Sequence, residues 1–412
     1  MSQQNQNSFK ICIITHAHLS RNPRVVKEAR FLASLGYQVI ILNCIYSNSL
    51  LKEDIELIAD LKNIQTISVV DLSKRSLTST LDRAIKKVSE KLVQHFHLQL
   101  PSALGYGYYR YLRIAEQLNS HLYICHQELP TIVGCQLIRK GFNVAFDFED
   151  WYSEDLLPSA QNRRPRKLLN DAEQYALENA RYSITTSRVL AKALAQKYKS
   201  TEPDVIYNVF PIETKILSSS KSFTDTVKLF WFSQTIGPGR GLEPFIDCLR
   251  DPELHVELHL LGAVNDNYKV ALNNRMPSHV PLVFHNLVHP DDLAKKIAEF
   301  DIGLALEQTT PPSRNLTITN KFFQYLNSGL PLIATDTAGQ RELFDELSPG
   351  ILISQNYDAT DKAKIKSFIT DTSKLAEARS FAISCAQQYS WETQSQILIK
   401  LIRHVLESQS SN

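Results

Sequence analysis

The stretch NLTITNKFFQYLNSGLP, residues 315–331, spaces Asn320, Lys321 and Gln324 so that they share one polar side of a helix. Phe322, Phe323 and Leu326 supply the apolar side. Thr317 or Thr319 is placed to cap the start and Gly329 to stop the end. A helix start presents unpaired N–H groups and the positive end of the peptide dipoles, and Lys321 adds a full charge. That combination suits a phosphate. A capped, solvated helix explains the same residues when they are taken alone.

A second stretch, SQTIGPGRGLEPFI (233–246), follows an apolar run. Gly237, Gly239 and Gly241 with Pro238 form a tight turn, and Arg240 stands just before the next helical segment. Such a turn lets backbone approach an anion closely. It matches neither the GxGxxG nor the Walker pattern, which argues against a standard dinucleotide or P-loop site. Two phosphate-competent turns in one half of the chain point to a diphosphate-bearing ligand.

The elements that must position these residues are βα units. Strand-length apolar runs (FKICIIT, YQVIILN, HLYICH, NVAFDF, RYSITTS, DVIYN) alternate with amphipathic helical stretches. The polar stretch PIETKILSSSKSFTD (211–225) breaks the rhythm, which restarts with VKLFWFSQ, VELHLLG, VPLVFHN, DIGLALE, LPLIAT and GILI. The chain has 412 residues, too many for one core. The expected architecture is α/β: two doubly wound parallel-sheet, Rossmann-like domains facing a central cleft. Their expected bounds are 1–208 and 227–390, with a linker over 209–226 and a terminal helical segment over 391–412.

Composition is that of an ordinary globular chain, 43% hydrophobic and 21% charged, with a net charge of +2. That balance gives no general argument for nucleic acid. The six cysteines show no CxxC spacing, and no metal-ligand spacing stands out. The start MSQQNQNS is not a signal peptide, and no apolar run reaches the roughly 20 residues of a membrane span. The expected location is cytoplasmic, with any membrane contact peripheral, at an inner face.

In order and spacing, several motifs are similar to those of family 4 glycosyltransferases, which have two Rossmann-like domains (the GT-B fold). They are ITHAHLSRNPRVVKEARFLASLGYQVIILN, FDFEDWYSED, ITTSRVLAKALAQKY, VIYNVFP, IGPGRGLEPFI, HLLG, DIGLALE and TNKFFQYLNSGLPLIATDTAGQREL. The resemblance runs nearly end to end and implies transfer of a sugar from a nucleoside-diphosphate sugar to an acceptor hydroxyl, with retention and without a metal or cofactor. The acceptor that the resemblance implies is a glycan, a lipid-linked molecule or a small molecule, as in cell-surface polysaccharide or glycoconjugate synthesis. It further implies that the terminal helix crosses back onto the first domain.

Carried onto this chain, the family's donor-diphosphate Arg and Lys fall on Gln234 and Arg240, so one charge is kept. The family's ribose-binding acid falls on Gln324, and its sugar-binding glutamate falls on Leu316. Glu307, at the end of DIGLALE, is the available substitute. Relatives with Asn-Lys before the helix use backbone N–H groups here, which adds Asn315, Leu316, Thr317 and Thr319 to the expected donor contacts. His285 and Asn286 end the strand that faces the base.

In the first half, the loop THAHLSRNPR places His16, His18, Arg21 and Arg24 on the acceptor side; solvated positions around a helix start explain the two arginines equally well. His126 matches a cleft histidine of the family. Glu149 and Asp150 end the next strand, where a carboxylate can orient a hydroxyl or take its proton. His126, Glu149, Asp150, Arg240 and Lys321 are the catalytic candidates.

The segment 74–113 differs in character. Leu81, Ile85, Val88, Leu92 and Phe96 form one helical stripe with Lys86, Lys87 and Lys91 nearby, and YGYYRYLR follows. The favoured expectation is a surface helix packing this stripe on its own sheet; the rival is a helix lying on an anionic membrane. Two other functions compete with transfer: a non-catalytic sugar-nucleotide-binding scaffold, given the replacements at Gln234, Leu316 and Gln324, and a nucleotide-sugar epimerase.

Overall fold

The computed structural model describes residues 9–218, 223–344 and 348–410. The polar start MSQQNQNS, and residues 219–222 within the expected linker, lie outside the described residues. The chain forms two compact units, Met1–Ile206 with Ser395–Asn412, and Tyr207–Gln394.

Among the described residues the first unit holds a seven-stranded parallel sheet of order β3-β2-β1-β4-β5-β6-β7. Its strands are β1 (Lys10–Ile14), β2 (Gln38–Ile45), β3 (Ile64–Asp71), β4 (Leu122–His126), β5 (Val144–Phe148), β6 (Ser183–Thr185) and β7 (Asp204–Val205). The central strands β4 and β5 are buried at every position, which is why their sequences are continuous apolar runs rather than alternating ones. The edge strand β3 buries only Val69 and Val70 and leaves its other residues exposed or part-buried, so it carries no such run.

The second unit holds a six-stranded parallel sheet of order β10-β9-β8-β11-β12-β13 among the described residues. Its strands are β8 (Val227–Ile236), β9 (Val256–Val264), β10 (Leu282–His285), β11 (Ile302–Ala305), β12 (Leu332–Thr335) and β13 (Gly350–Ile353). Leu229, Trp231, Leu258, Leu260, Leu304 and Ile333 form the middle of its core. In each sheet the strand order reverses at one point, between β1 and β4 and between β8 and β11. Ligands of such sheets bind in the crevice beyond the strand ends at that point.

The stripe on the helix Leu77–Phe96 does not pack on its sheet. Leu77, Leu81, Ile85, Val88 and Phe96 are 91%, 60%, 44%, 55% and 68% exposed and Leu92 is half-buried, while Ser79, Ser89 and Val93 are buried. The helix is therefore attached by a narrow face of small residues, and its apolar stripe faces outward. Among the described residues no helix is long and apolar enough to cross a membrane. All six cysteines are buried free thiols.

Candidate active site

In the second unit the polar groups gather beyond the ends of β8 and β11. Glu307, two residues past β11, accepts a hydrogen bond from the Lys321 ammonium at 2.7 Å and another from Thr319 Oγ1 at 3.1 Å. Burial would raise the Glu307 carboxyl, but Lys321 and Thr319 outweigh it and hold it below the ordinary range. Glu307's own carbonyl accepts from Thr335 Oγ1 at 2.5 Å and Gln355 Nε2 at 2.9 Å, which fixes the strand end. Lys321 lies over the Trp231 ring, 5.9 Å from its centroid. With an indole face beneath it and one N–H on a carboxylate, the ammonium is held while two donors remain.

The glycine turn after β8 meets this strand end. Gly241 has φ 78°, and a Cβ there would come within 2.7 Å of the Leu306 carbonyl oxygen. Only glycine combines that backbone conformation with that approach. Gly237 and Gly239 have nothing within 4 Å of such a Cβ, and Gln234, Gly239 and Arg240 are exposed. Arg240 thus projects from a turn that is anchored to the Glu307 segment at its far end.

The helix Asn320–Asn327 starts after Thr319, whose side chain bonds Glu307 instead of capping the helix. Gly329, with φ 67°, ends it. Thr317 is buried, and Asn315 Oδ1 accepts from the Ala338 N–H at 3.1 Å. Those two residues therefore brace the next helix, Ala338–Phe344, while Leu316, Asn320 and Gln324 remain half-buried.

A Cβ on Gly339 would lie 2.6 Å from the Thr317 carbonyl oxygen and 2.8 Å from that of Leu316. Gly339→Ala should therefore destabilise the fold by about 1–3 kcal/mol. The shift of the urea denaturation midpoint measures this; an unchanged midpoint would mean that the 315–317 segment yields freely. Gln340, not singled out from the sequence, is fully buried. Its Nε2 donates to the Thr335 carbonyl at 2.7 Å and the Ala305 carbonyl at 3.2 Å, tying β11 to β12.

His285 is turned to the side of its strand. Its Nε2 lies 3.0 Å from His259 Nδ1, and its ring packs on Phe300 with centroids 5.6 Å apart. Three strand spacings, roughly 14 Å, separate β10 from β11. His285 and Asn286 are therefore apart from the Lys321 group, at the opposite end of any ligand that spans the crevice.

In the first unit, several expected acceptor-side residues are structural pins. His18 is buried; its Nε2 accepts from the N–H groups of Tyr46 at 2.9 Å and Ser47 at 3.1 Å. Nδ1 must therefore carry the proton, which it gives to Asp54 Oδ2 at 2.7 Å. His16 Nε2 accepts from the Tyr106 N–H at 2.8 Å, and burial lowers this imidazole to about 4. Gln127 Oε1 closes the loop by accepting from Thr15 Oγ1 and the His16 N–H. Arg24 is buried rather than solvated, with Nε on Asp147 Oδ2 at 2.5 Å and Nη1 on the Ile206 carbonyl at 2.8 Å. Arg21 is exposed. A buried arginine committed to these acceptors is not placed to meet an acceptor substrate.

His126 is fully buried, with Nε2 2.7 Å from Glu28 and Nδ1 3.0 Å from Glu149. Burial alone would depress it, but Asp147, Glu149 and Glu28 outweigh that and push it up to about 10. It is an imidazolium with both nitrogens engaged, so it works as a fixed charge and not as an open base. Burial would raise Glu149, yet the bond from His126 leads the groups that hold it below the ordinary carboxylate range. Asn22 Nδ2 also donates to Glu149 at 2.8 Å, and both bonds fall on Oε1. The Glu149 side chain is 19% exposed, the open edge of an otherwise closed network. Asp150, its half-buried neighbour, is also engaged.

Two Rossmann-like parallel sheets, each with its polar residues at the point of strand-order reversal, define the GT-B architecture. Solved structures of this architecture match over nearly the whole chain. Sucrose-phosphate synthase from Thermosynechococcus elongatus is 14% identical with TM-score 0.70, covering 97% of this chain and 100% of its own. Anabaena HepE, solved with UDP-glucose, is 17% identical with TM-score 0.60, covering 98% and 100%. The UDP-forming α,α-trehalose-phosphate synthase from Burkholderia vietnamiensis is 10% identical with TM-score 0.61, covering 96% and 99%. At these identities the likeness establishes the fold. No protein-family model matches the sequence, and no curated protein matches it.

Proposed function

We propose that the chain is a retaining glycosyltransferase of the family 4 type, moving a sugar from a nucleoside-diphosphate sugar to an acceptor hydroxyl. The observation that carries this reading is the Glu307–Lys321–Thr319 group beside the Gly237–Gly241 turn at the β8/β11 crevice. Lys321 is pre-positioned by Glu307 and Trp231. Its remaining donors, with Arg240, oppose the charge that grows on the departing diphosphate. Interactions that strengthen as that charge develops are the ones that speed the reaction. Glu307 and the half-buried Gln324 offer acceptors to sugar and ribose hydroxyls. Glu149 orients the acceptor hydroxyl through Oε2, since Oε1 is spent on His126 and Asn22. Retention rests on the motif resemblance, and a UDP-sugar is the first donor to try because HepE was solved with one.

The test incubates the protein with UDP-, GDP-, ADP- and TDP-sugars and measures nucleoside diphosphate released. Release with one donor is expected. Binding of a donor, seen by thermal shift, with no turnover across candidate acceptors would replace this reading with the scaffold. A free sugar product with inverted C2 would replace it with the epimerase.

A further inference from the structure

The exposed stripe of the helix Leu77–Phe96 has no role in the sugar-transfer reading. At roughly 100° per residue, Leu77, Leu81, Ile85, Val88, Leu92 and Phe96 span an arc of about 100°, centred about 110° from the buried Ser79, Ser89 and Val93. Lys87 and Lys91, both exposed, border the stripe on its other edge. Lys74 and Arg75, also exposed, stand at its start, and the exposed Tyr109 lies on the following helix.

Charge decides what covers such a face. The segment 74–98 contains six Lys or Arg and two acidic residues, whereas the whole chain carries only +2. Both acids are spent internally: Asp82 accepts from Arg110 at 2.5 Å, and Glu90 pairs with Lys86. The outward face is therefore apolar with a cationic border. A second copy docked by twofold symmetry would bring the same lysines together. A surface of negative headgroups over acyl chains satisfies both features.

We propose that this helix docks the protein on an anionic lipid bilayer, with the stripe at the acyl boundary and Lys87 and Lys91 at headgroup phosphates. The proposal is independent of the sugar-transfer reading, and either can fail alone. The test is flotation of the full chain with vesicles of phosphatidylcholine alone or mixed with phosphatidylglycerol. Binding is expected only to the mixed vesicles, with no competition from inorganic phosphate. Lys87→Ala/Lys91→Ala should weaken it by about thirtyfold, with binding restored by Lys87→Arg/Lys91→Arg. Leu81→Asp/Val88→Asp should abolish it at an unchanged melting temperature, since both side chains are exposed. Equal binding to uncharged vesicles, or no effect of either pair, would overturn the proposal. So would a dimer in light scattering that Leu81→Asp/Val88→Asp converts to monomer, which would make this face a self-association surface.

Discussion

Lys321→Ala is expected to lower kcat for donor cleavage by about 10²–10³-fold, the usual loss when one pre-positioned donor to a developing charge is removed. The ammonium is held 2.7 Å from Glu307 before any donor binds, so its ordering is already complete when the diphosphate arrives. If its interaction strengthens as the sugar–phosphate bond breaks, kcat and kcat/KM fall together. A rise in KM with kcat unchanged would show that Lys321 only anchors the donor. The variant also leaves Glu307 without its cation. The carboxyl then moves up from its depressed position, with only Thr319 and Arg314 left to oppose burial, so activity at mildly acidic pH should suffer most. Glu307→Gln separates the two effects: it keeps the lysine but removes the charge that fixes it, and a smaller loss is expected. Arg240→Ala should cost less than Lys321→Ala, because an exposed guanidinium is screened by solvent. Wild-type rates in Lys321→Ala would remove this lysine from the mechanism.

His126→Ala should destabilise the fold by roughly 3–5 kcal/mol, because it leaves the buried Glu28 and the half-buried Glu149 without the imidazolium that joins them. Denaturant unfolding measures the loss. The pH dependence gives a second, sharper reading. His126 is raised in the folded state from its ordinary 6.5 to about 10. Its stabilisation is therefore complete below about pH 6.5 and is lost as pH climbs through about 10. Glu149 is shifted downward, so its contribution is present above its ordinary value and fades as pH falls below it. Wild type should lose melting temperature between pH 7 and 10 more steeply than His126→Gln, which has no proton to shed. Parallel curves would mean that the imidazole is neutral in the folded protein.

The sequence by itself determined the βα rhythm and the two-sheet architecture. Strands buried on both faces must be continuous apolar runs, and helices between them must be amphipathic; both periods are local and survive in one dimension. The same holds for the Gly329 helix stop and for the common face of Asn320, Lys321 and Gln324. Which strands flank the reversal points, and so which loops meet, was decided only by the tertiary structure. Glu307 and Lys321 are legible as separate candidates, but their bond depends on β11 lying beside the strand end that the 320–327 helix reaches. The charge network of Arg24, Glu28, His126 and Asp147 joins residues about a hundred positions apart, so nothing in their spacing shows that Arg24 and His126 are sealed inside. The helix 77–96 shows the same limit most plainly. Periodicity states which residues share a face, but only packing states what that face meets, and here the protein holds the helix by Ser79, Ser89 and Val93 and leaves Leu77 and Leu81 to the outside.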